Sequence, residues 1–423
     1  MTYIQALDFL GSFVNLEKVP AWKYRGSLKL DRFKGFLSSI GNPERALKCV
    51  HVAGTKGKGS TCAFIAYILR EAGYSVGFYT SPHLCDFRER IRILRPGGNR
   101  TDLFEGMIRN DELCRLVDGY KDAIRRYNKN SVYGPLTFFE IYTALAFVYF
   151  REKNVDIAVL ETGMGGRLDA TNVITPLACA ISPISYEHTD KLGKTLEAIA
   201  GEKAGIIKKG IEVISAPQDP RVMKVLLEKC RKQGSKLSVR GKIKGLKVRL
   251  VGEHQLVNAS VAVGVVKALS DSGINVKRAA IKMGLYNTVW PARCEVLSVK
   301  PMVVLDGAQN AASAMALKKA VKRNFRYRRL LMVLGISSDK DIKGICSSLK
   351  GLADTVILTR ADTPRAQDPR LIAKYFKDER LFITEGVKES RRLALSEAGP
   401  RDLVLVCGSL FVAGEFRHDA LKQ

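Results

Sequence analysis

The 423-residue sequence predicts an α/β protein with mainly parallel sheets in two lobes. Three observations predict it. Short apolar runs alternate with longer helical ones along most of the chain. The short runs are apolar on both faces, as in a parallel sheet covered by helices on each side. The alternation breaks once, around Trp290-Pro291, and then restarts.

In the first lobe, ALKCVHVAG reads as a strand and GKGSTCAFIAYILREAG as a helix. YSVGFYTS is a second strand, TFFEIYTALAFVYFREKN a long helix, and VDIAVLETG a strand entering a glycine-rich loop. LACAISPIS is another strand. The texture then changes. KLSVRGKIKGLKVRLVG, residues 236–252, is short, basic and alternating, with glycines, and is expected to form a small antiparallel hairpin. A helix follows over Gln255–Ser272. In the second lobe MVVLDGAQ, RRLLMVLGIS, DTVILTRA and DLVLVCGS read as strands, and ASAMALKKAVKRNF as a helix. These readings divide the chain into 1–288, a linker 289–296, and 297–423.

Composition narrows the class. The chain carries 69 Lys and Arg against 42 Asp and Glu, a net charge of +27. Eleven of those cations and one acid, Glu228, fall between Arg221 and Arg249. Such charge attracts anions: nucleic acid, ATP or a polyglutamate. No aromatic residues are interleaved with it, which argues against single-strand binding. The nine cysteines are odd in number and lack CxxC spacing, so neither a disulfide framework nor a zinc site is expected. MTYIQALDFLGSFVN lacks a basic n-region and a cleavage site, and no apolar run reaches about 18 residues. A cytoplasmic protein without membrane partners is the expectation.

The strongest local signal is HVAGTKGKGST, placed between a strand and a helix. Glycines there let backbone amides approach phosphate oxygens, and the helix start favours negative charge. Gly54, Thr55, Lys56, Gly57, Lys58, Gly59, Ser60 and Thr61 form the candidate nucleotide loop. Lys58 would neutralise phosphate, and Ser60 would hold magnesium through its hydroxyl. The strict P-loop spacing is not met: Val52 takes the place of the first glycine, and Gly59 separates Lys58 from Ser60. LETGMGGRLDATN begins with Glu161, an acid at a strand's C-terminal edge, well placed for magnesium.

These segments resemble the folylpolyglutamate synthase / dihydrofolate synthase family of the Mur ligase superfamily. GTKGKGS is similar to its nucleotide loop, and the first signature runs on into Ser81-Pro82-His83, which the resemblance assigns to pterin binding. The resemblance gives His188 to magnesium and makes Lys203 a carbamylated lysine. It assigns His254, Gln255 and Asn258 of GEHQLVNASVAV to the adenine side. PARCEV resembles Pro-Gly-Arg-x-Glu, with Arg293 reaching phosphate and Ala292 in place of glycine. DGAQNAASA resembles Asp-Gly-Ala-His-Asn-Pro. Asp306 and Asn310 are retained, Gln309 replaces the histidine, and Ala311 replaces the proline. Glu187 stands where the family has Asp before His188.

The resemblance implies a P-loop-type central ATPase domain with a mainly parallel sheet and a small antiparallel hairpin, plus a smaller Rossmann-like C-terminal domain. It implies ATP and Mg2+ as cofactors, with Lys58, Lys203 and His188 catalytic. The partners implied are a folate or pterin acid and L-glutamate, with no nucleic acid and no membrane, in a monomer. The activity implied is ATP-dependent glutamate ligation through an acyl phosphate. Dihydrofolate synthase activity and a non-catalytic nucleotide-binding homologue are the alternatives.

Overall fold

The computed structural model describes residues 1–17, 19, 22–98 and 102–421. Its chain divides into two compact units. The first comprises 1–83, 87–249 and 256–288; the second comprises 84–86, 250–255 and 289–423.

The first unit is built on seven strands. They are β1 (Cys49–Ala53), β2 (Val76–Tyr79), β3 (Ile91–Leu94), β4 (Ile157–Glu161), β5 (Ala178–Ile181), β6 (Glu212–Ser215) and β7 (Leu237–Val239). Their order is β3-β2-β4-β1-β5-β6-β7, and all neighbours are parallel except β2 and β3. The central strands β1, β2, β4 and β5 are buried along their whole length, as their unbroken apolar runs require. One core cluster joins Phe33, Phe36, Ile141 and Phe147 to β1 and β4, and another joins Ile199, Val213 and Leu226 to β5. Because β1, β4, β5, β6 and β7 run parallel, the loops that follow them leave from one edge of the sheet. In α/β folds, ligand sites gather at that edge.

The hairpin expected over 236–252 is not formed. Only Leu237–Val239 is a strand, and it pairs in parallel with β6, through the crossover helix Pro220–Gln233. Alternation marks a half-exposed strand but carries no information about its partner. Here the preceding helix supplies a βαβ connection, which makes the pairing parallel.

The second unit holds β8 (Glu295–Val299), β9 (Met302–Leu305), β10 (Leu330–Leu334), β11 (Thr355–Leu358), β12 (Arg380–Ile383) and β13 (Leu403–Cys407). Their order is β12-β11-β10-β13-β9-β8, parallel throughout except for β8 on β9. An antiparallel pair thus does occur, at the start of this unit. β8 and β12 were not evident in the sequence, because neither has a buried apolar run.

Candidate active site

β1 ends at Ala53 and the helix Lys58–Glu71 follows, so Gly54–Gly57 make the turn between them. Two glycines are demanded by the backbone. Gly54 has φ +146°, and a Cβ on it would lie 1.9 Å from Ser182 Oγ. Gly57 has φ +81°, and a Cβ there would lie 2.3 Å from Asn258 Oδ1. Thr55 and Lys56 donate their backbone N–H groups to Pro183 O at 3.0 and 3.1 Å, and Thr55 Oγ1 donates to Ser185 O at 3.1 Å. The turn is thereby clamped to the segment after β5. Gly59, Ser60 and Thr61 form the first helical turn, where Thr61 Oγ1 is buried without a partner. The N-cap residue is Gly57, which brings no side chain of its own to cap the first amides, and a helix start of this kind favours an anion.

Glu161 is the buried last residue of β4, the strand next to β1. Lys58 Nζ lies 3.9 Å from its Oε1, and Ser81 N lies 3.4 Å from its Oε2. The Ser81 hydroxyl is buried without a hydrogen-bond partner. Lys203, buried at the end of the helix Leu196–Lys203, donates from Nζ to Gly54 O at 2.7 Å. Burial, reinforced by the charge of Lys58, lowers its pKa to about 7. A substantial share of this amine is therefore neutral at neutral pH.

Lys56 pairs with Glu187 at 2.5 Å. Burial alone would raise the Glu187 pKa, but Lys56, His188 and Lys58 outweigh it and hold the carboxyl at about 2. The residue that departs from the family's Asp is therefore an ionised anchor for the Gly54–Gly57 turn, a role no local motif revealed. His188 itself has φ +52° at the start of the helix Thr189–Leu192. Asn258, buried on the helix Glu253–Ala268, sits against Gly57.

His83, which follows Ser81 and Pro82, packs its ring 4.3 Å from that of Phe87. Its Nδ1 accepts from Arg90 Nε at 3.0 Å, which fixes the ring proton on Nε2. Arg90 grips Glu17 through both η nitrogens, at 2.9 and 2.6 Å. Glu17 lines a mainly apolar cavity together with Trp22, Leu28, Phe139, Met164 and Asp169. Nothing in the sequence marked this cavity, since its walls come from stretches far apart in the chain.

The second unit groups a separate set. Asp306 accepts from Cys294 N at 2.9 Å and from Ala308 N at 2.8 Å. Arg293 Nη1 donates to Ala292 O at 2.7 Å, and Ala292 keeps the left-handed φ of +52° that glycine would favour. Burial lowers the pKa of His254, with the charge of Asp306 opposing that shift and the charge of Arg293 adding to it. Gln255 is buried one residue along. Asn310 caps the helix Ala311–Asn324, its Oδ1 accepting from Ser313 N at 2.9 Å. The N–H groups of Gln309 and Asn310 both donate to Ser313 Oγ, each at 3.1 Å.

Comparison with known proteins accords with this architecture. Residues 292–410 match the family model described as Mur ligase, glutamate ligase domain. The dihydrofolate synthase/folylpolyglutamate synthase of Bacillus subtilis is 32% identical, over 92% of this chain and 94% of that one. The folylpolyglutamate synthase of Lacticaseibacillus casei is 32% identical, over 100% and 99% of the two chains. The chain belongs to the folylpolyglutamate synthase / dihydrofolate synthase family. It is a Mur-type ligase. The solved folylpolyglutamate synthase of Mycobacterium tuberculosis, complexed with ADP, superposes with a TM-score of 0.87 at 28% identity, covering 98% of this chain and 97% of that one.

Glu161 and the unpartnered Ser81 hydroxyl offer the hard oxygens that magnesium takes. Among the described residues no group of three His, Cys, Asp or Glu side chains is placed to hold a metal. Among the same residues no helix is long and apolar enough to cross a membrane.

Proposed function

We propose that this chain joins L-glutamate to the terminal carboxylate of a folate-type pterin, using ATP and releasing ADP and phosphate. The observation that carries the reading is the convergence of Lys58, Glu161, Ser81 and Lys203 on one turn, Gly54–Thr61. The apolar cavity flanked by Glu17 and Asp169 would take the pterin ring, with Trp22 and Phe139 as aromatic walls and the carboxylates accepting from ring N–H groups. His83 supports that wall through Arg90.

The amides of Gly57–Ser60 and the Lys58 ammonium bind the β- and γ-phosphates and spread their charge. The pterin carboxylate oxygen attacks the γ-phosphorus, the bond to the bridging oxygen of ADP breaks, and an acyl phosphate forms. The glutamate amine then attacks the acyl carbon, loses a proton, and phosphate departs with the former carboxylate oxygen. Magnesium, when bound, withdraws charge from the phosphate oxygens. Ser60, Glu161, His188 and a carbamate on Lys203 are the groups that would hold it. In the second unit we assign His254, Gln255, Arg293 and Asp306 to the nucleotide, and Gln309 and Asn310 to the amino-acid substrate. A cytoplasmic monomer completes the reading; all nine cysteines are free.

The test is phosphate release from ATP with tetrahydrofolate monoglutamate or dihydropteroate, each with and without glutamate. Glutamate-dependent release of ADP and phosphate is expected. Release of AMP and pyrophosphate would refute the acyl-phosphate route. Activity on dihydropteroate alone would make the enzyme a dihydrofolate synthase.

A further inference from the structure

Resting on that reading, we propose that His51 is a positioning residue for the acceptor substrate: through Thr171 and Asp169 it holds the loop that walls the cavity assigned to the pterin. His51 is the middle residue of β1. It lies between Val50 and Val52 in sequence and beside Leu160 and Cys179 in the neighbouring strands, and all five residues are fully buried. An apolar residue suits such a position better. The His51 Nε2 lies 2.7 Å from Thr171 Oγ1, while its Nδ1 is buried without a hydrogen-bond partner. A buried nitrogen left unsatisfied costs stability that an apolar side chain would keep. The histidine therefore needs a reason other than packing, and its one hydrogen bond supplies it.

That bond is the first of a chain. Asp169 Oδ1 accepts from Thr171 N at 3.0 Å, and its Oδ2 accepts from Met164 N at 2.9 Å, so the carboxylate staples the loop across its length. The Thr171 hydroxyl also donates to Asp169 Oδ1, at 2.6 Å. A hydroxyl has one proton to give, so Thr171 Oγ1 accepts from His51 Nε2–H. Burial, with the charge of Lys208 adding to it, lowers the His51 pKa to about 3, so the ring stays neutral and its bare lone pair falls on Nδ1. Residues 162–169 have neither helix nor strand to stiffen them. Yet Gly163, Met164, Leu168, Asp169 and Ala170 are their share of the cavity lining, together with the first residue of the turn that follows. His51 does not line the cavity; it reaches the wall from the rigid centre of the sheet through Thr171 and Asp169. Buried hydrogen bonds in series strengthen one another, and a binding wall is held in place by such support from behind.

The test compares the full chain with its variants His51→Met, His51→Gln and Thr171→Val. Binding of dihydropteroate and of tetrahydrofolate monoglutamate is followed by quenching of tryptophan emission, since Trp22 lines the cavity. KM for each substrate and urea midpoints are measured beside it. His51→Met loses the unsatisfied nitrogen, so its urea midpoint should equal or exceed that of the wild type. It should nevertheless bind the pterin about tenfold more weakly, the scale of one hydrogen bond. Its pterin KM should rise while its ATP KM stays unchanged. His51→Gln keeps an N–H donor of similar reach and should restore most of the affinity. Thr171→Val breaks the same chain, so it should weaken binding as His51→Met does, and the double variant should add nothing further. Undiminished pterin affinity in His51→Met and Thr171→Val overturns the proposal and makes His51 a core residue. So does an equal rise in the KM values for ATP and pterin, which would trace to β1 and the turn after it. If His51→Met fails to fold, the affinities of His51→Gln and Thr171→Val decide on the same terms. A wild type that shows these affinity differences yet ligates no glutamate upholds the role of His51 and overturns the functional reading. A wild type that binds neither pterin overturns both.

Discussion

Lys203 Nζ donates to the carbonyl of Gly54 at 2.7 Å, tying a lysine on one helix to the start of the turn that follows β1. The two residues lie 149 apart in sequence. Their contact places an amine with a pKa lowered to about 7 next to the site assigned to phosphate and magnesium. Only the neutral amine reacts with carbon dioxide, and it prevails above its own pKa. A carbamate should therefore appear on Lys203 as pH rises through about 7, whereas lysines near the ordinary 10.5 remain unmodified. Carbon-13 NMR with labelled bicarbonate should show one carbamate signal in the wild type and none in Lys203→Arg. A signal that survives in the variant would assign the modification elsewhere.

Gly57→Ala should cripple ATP use. The new Cβ meets Asn258 Oδ1 at 2.3 Å, and the residue must hold φ at +81°. Strain at that φ costs about 1 kcal/mol and overpacking about 1–3 kcal/mol. Adding Asn258→Ala removes the clash but not the φ penalty. The double variant should thus recover part of the lost unfolding free energy in urea titrations, without recovering the KM for ATP. Full recovery of both would mean that Asn258 serves only to pack.

Much of this was legible before the structure. A strand, a glycine turn and a helix are local, so HVAGTKGKGST could be placed correctly from spacing alone. What the sequence hid was non-local. Glu187 looked like a mild substitution until Lys56, 131 residues away, proved to be its partner. The Trp22–Phe139–Met164 cavity assembles from three distant stretches. The segment after Lys236 showed its alternation, but its partner strand was set by the preceding helix.

The Arg32–Glu140 pair is buried on both sides, with guanidinium nitrogens 3.0 to 3.1 Å from the carboxylate. Arg32→Met leaves a buried carboxylate without its counter-charge and should destabilise the protein by about 3–5 kcal/mol. Arg32→Met with Glu140→Leu removes both charges and should recover most of that loss, measured as urea midpoints. Equal loss in both variants would place the cost in packing instead of charge.

Gln309 allows the sharpest test of the second unit. Its backbone N–H, with that of Asn310, anchors to Ser313 Oγ at the start of the helix Ala311–Asn324. The side chain is a neutral amide that neither gains nor loses a proton in the working range. A histidine there would titrate near pH 6.5. Gln309→His keeps the backbone anchors, so the fold should be unchanged. If the position faces the reacting groups, kcat/KM for glutamate in the variant should gain a limb near pH 6.5 that the wild type lacks. With the proton on, the imidazolium cannot accept from the incoming amine and repels its ammonium form, so the rate should fall as pH drops through that limb. Superimposable profiles for the two proteins would remove position 309 from the chemistry and leave Asn310, whose side chain caps the helix, as the structural reason for that motif.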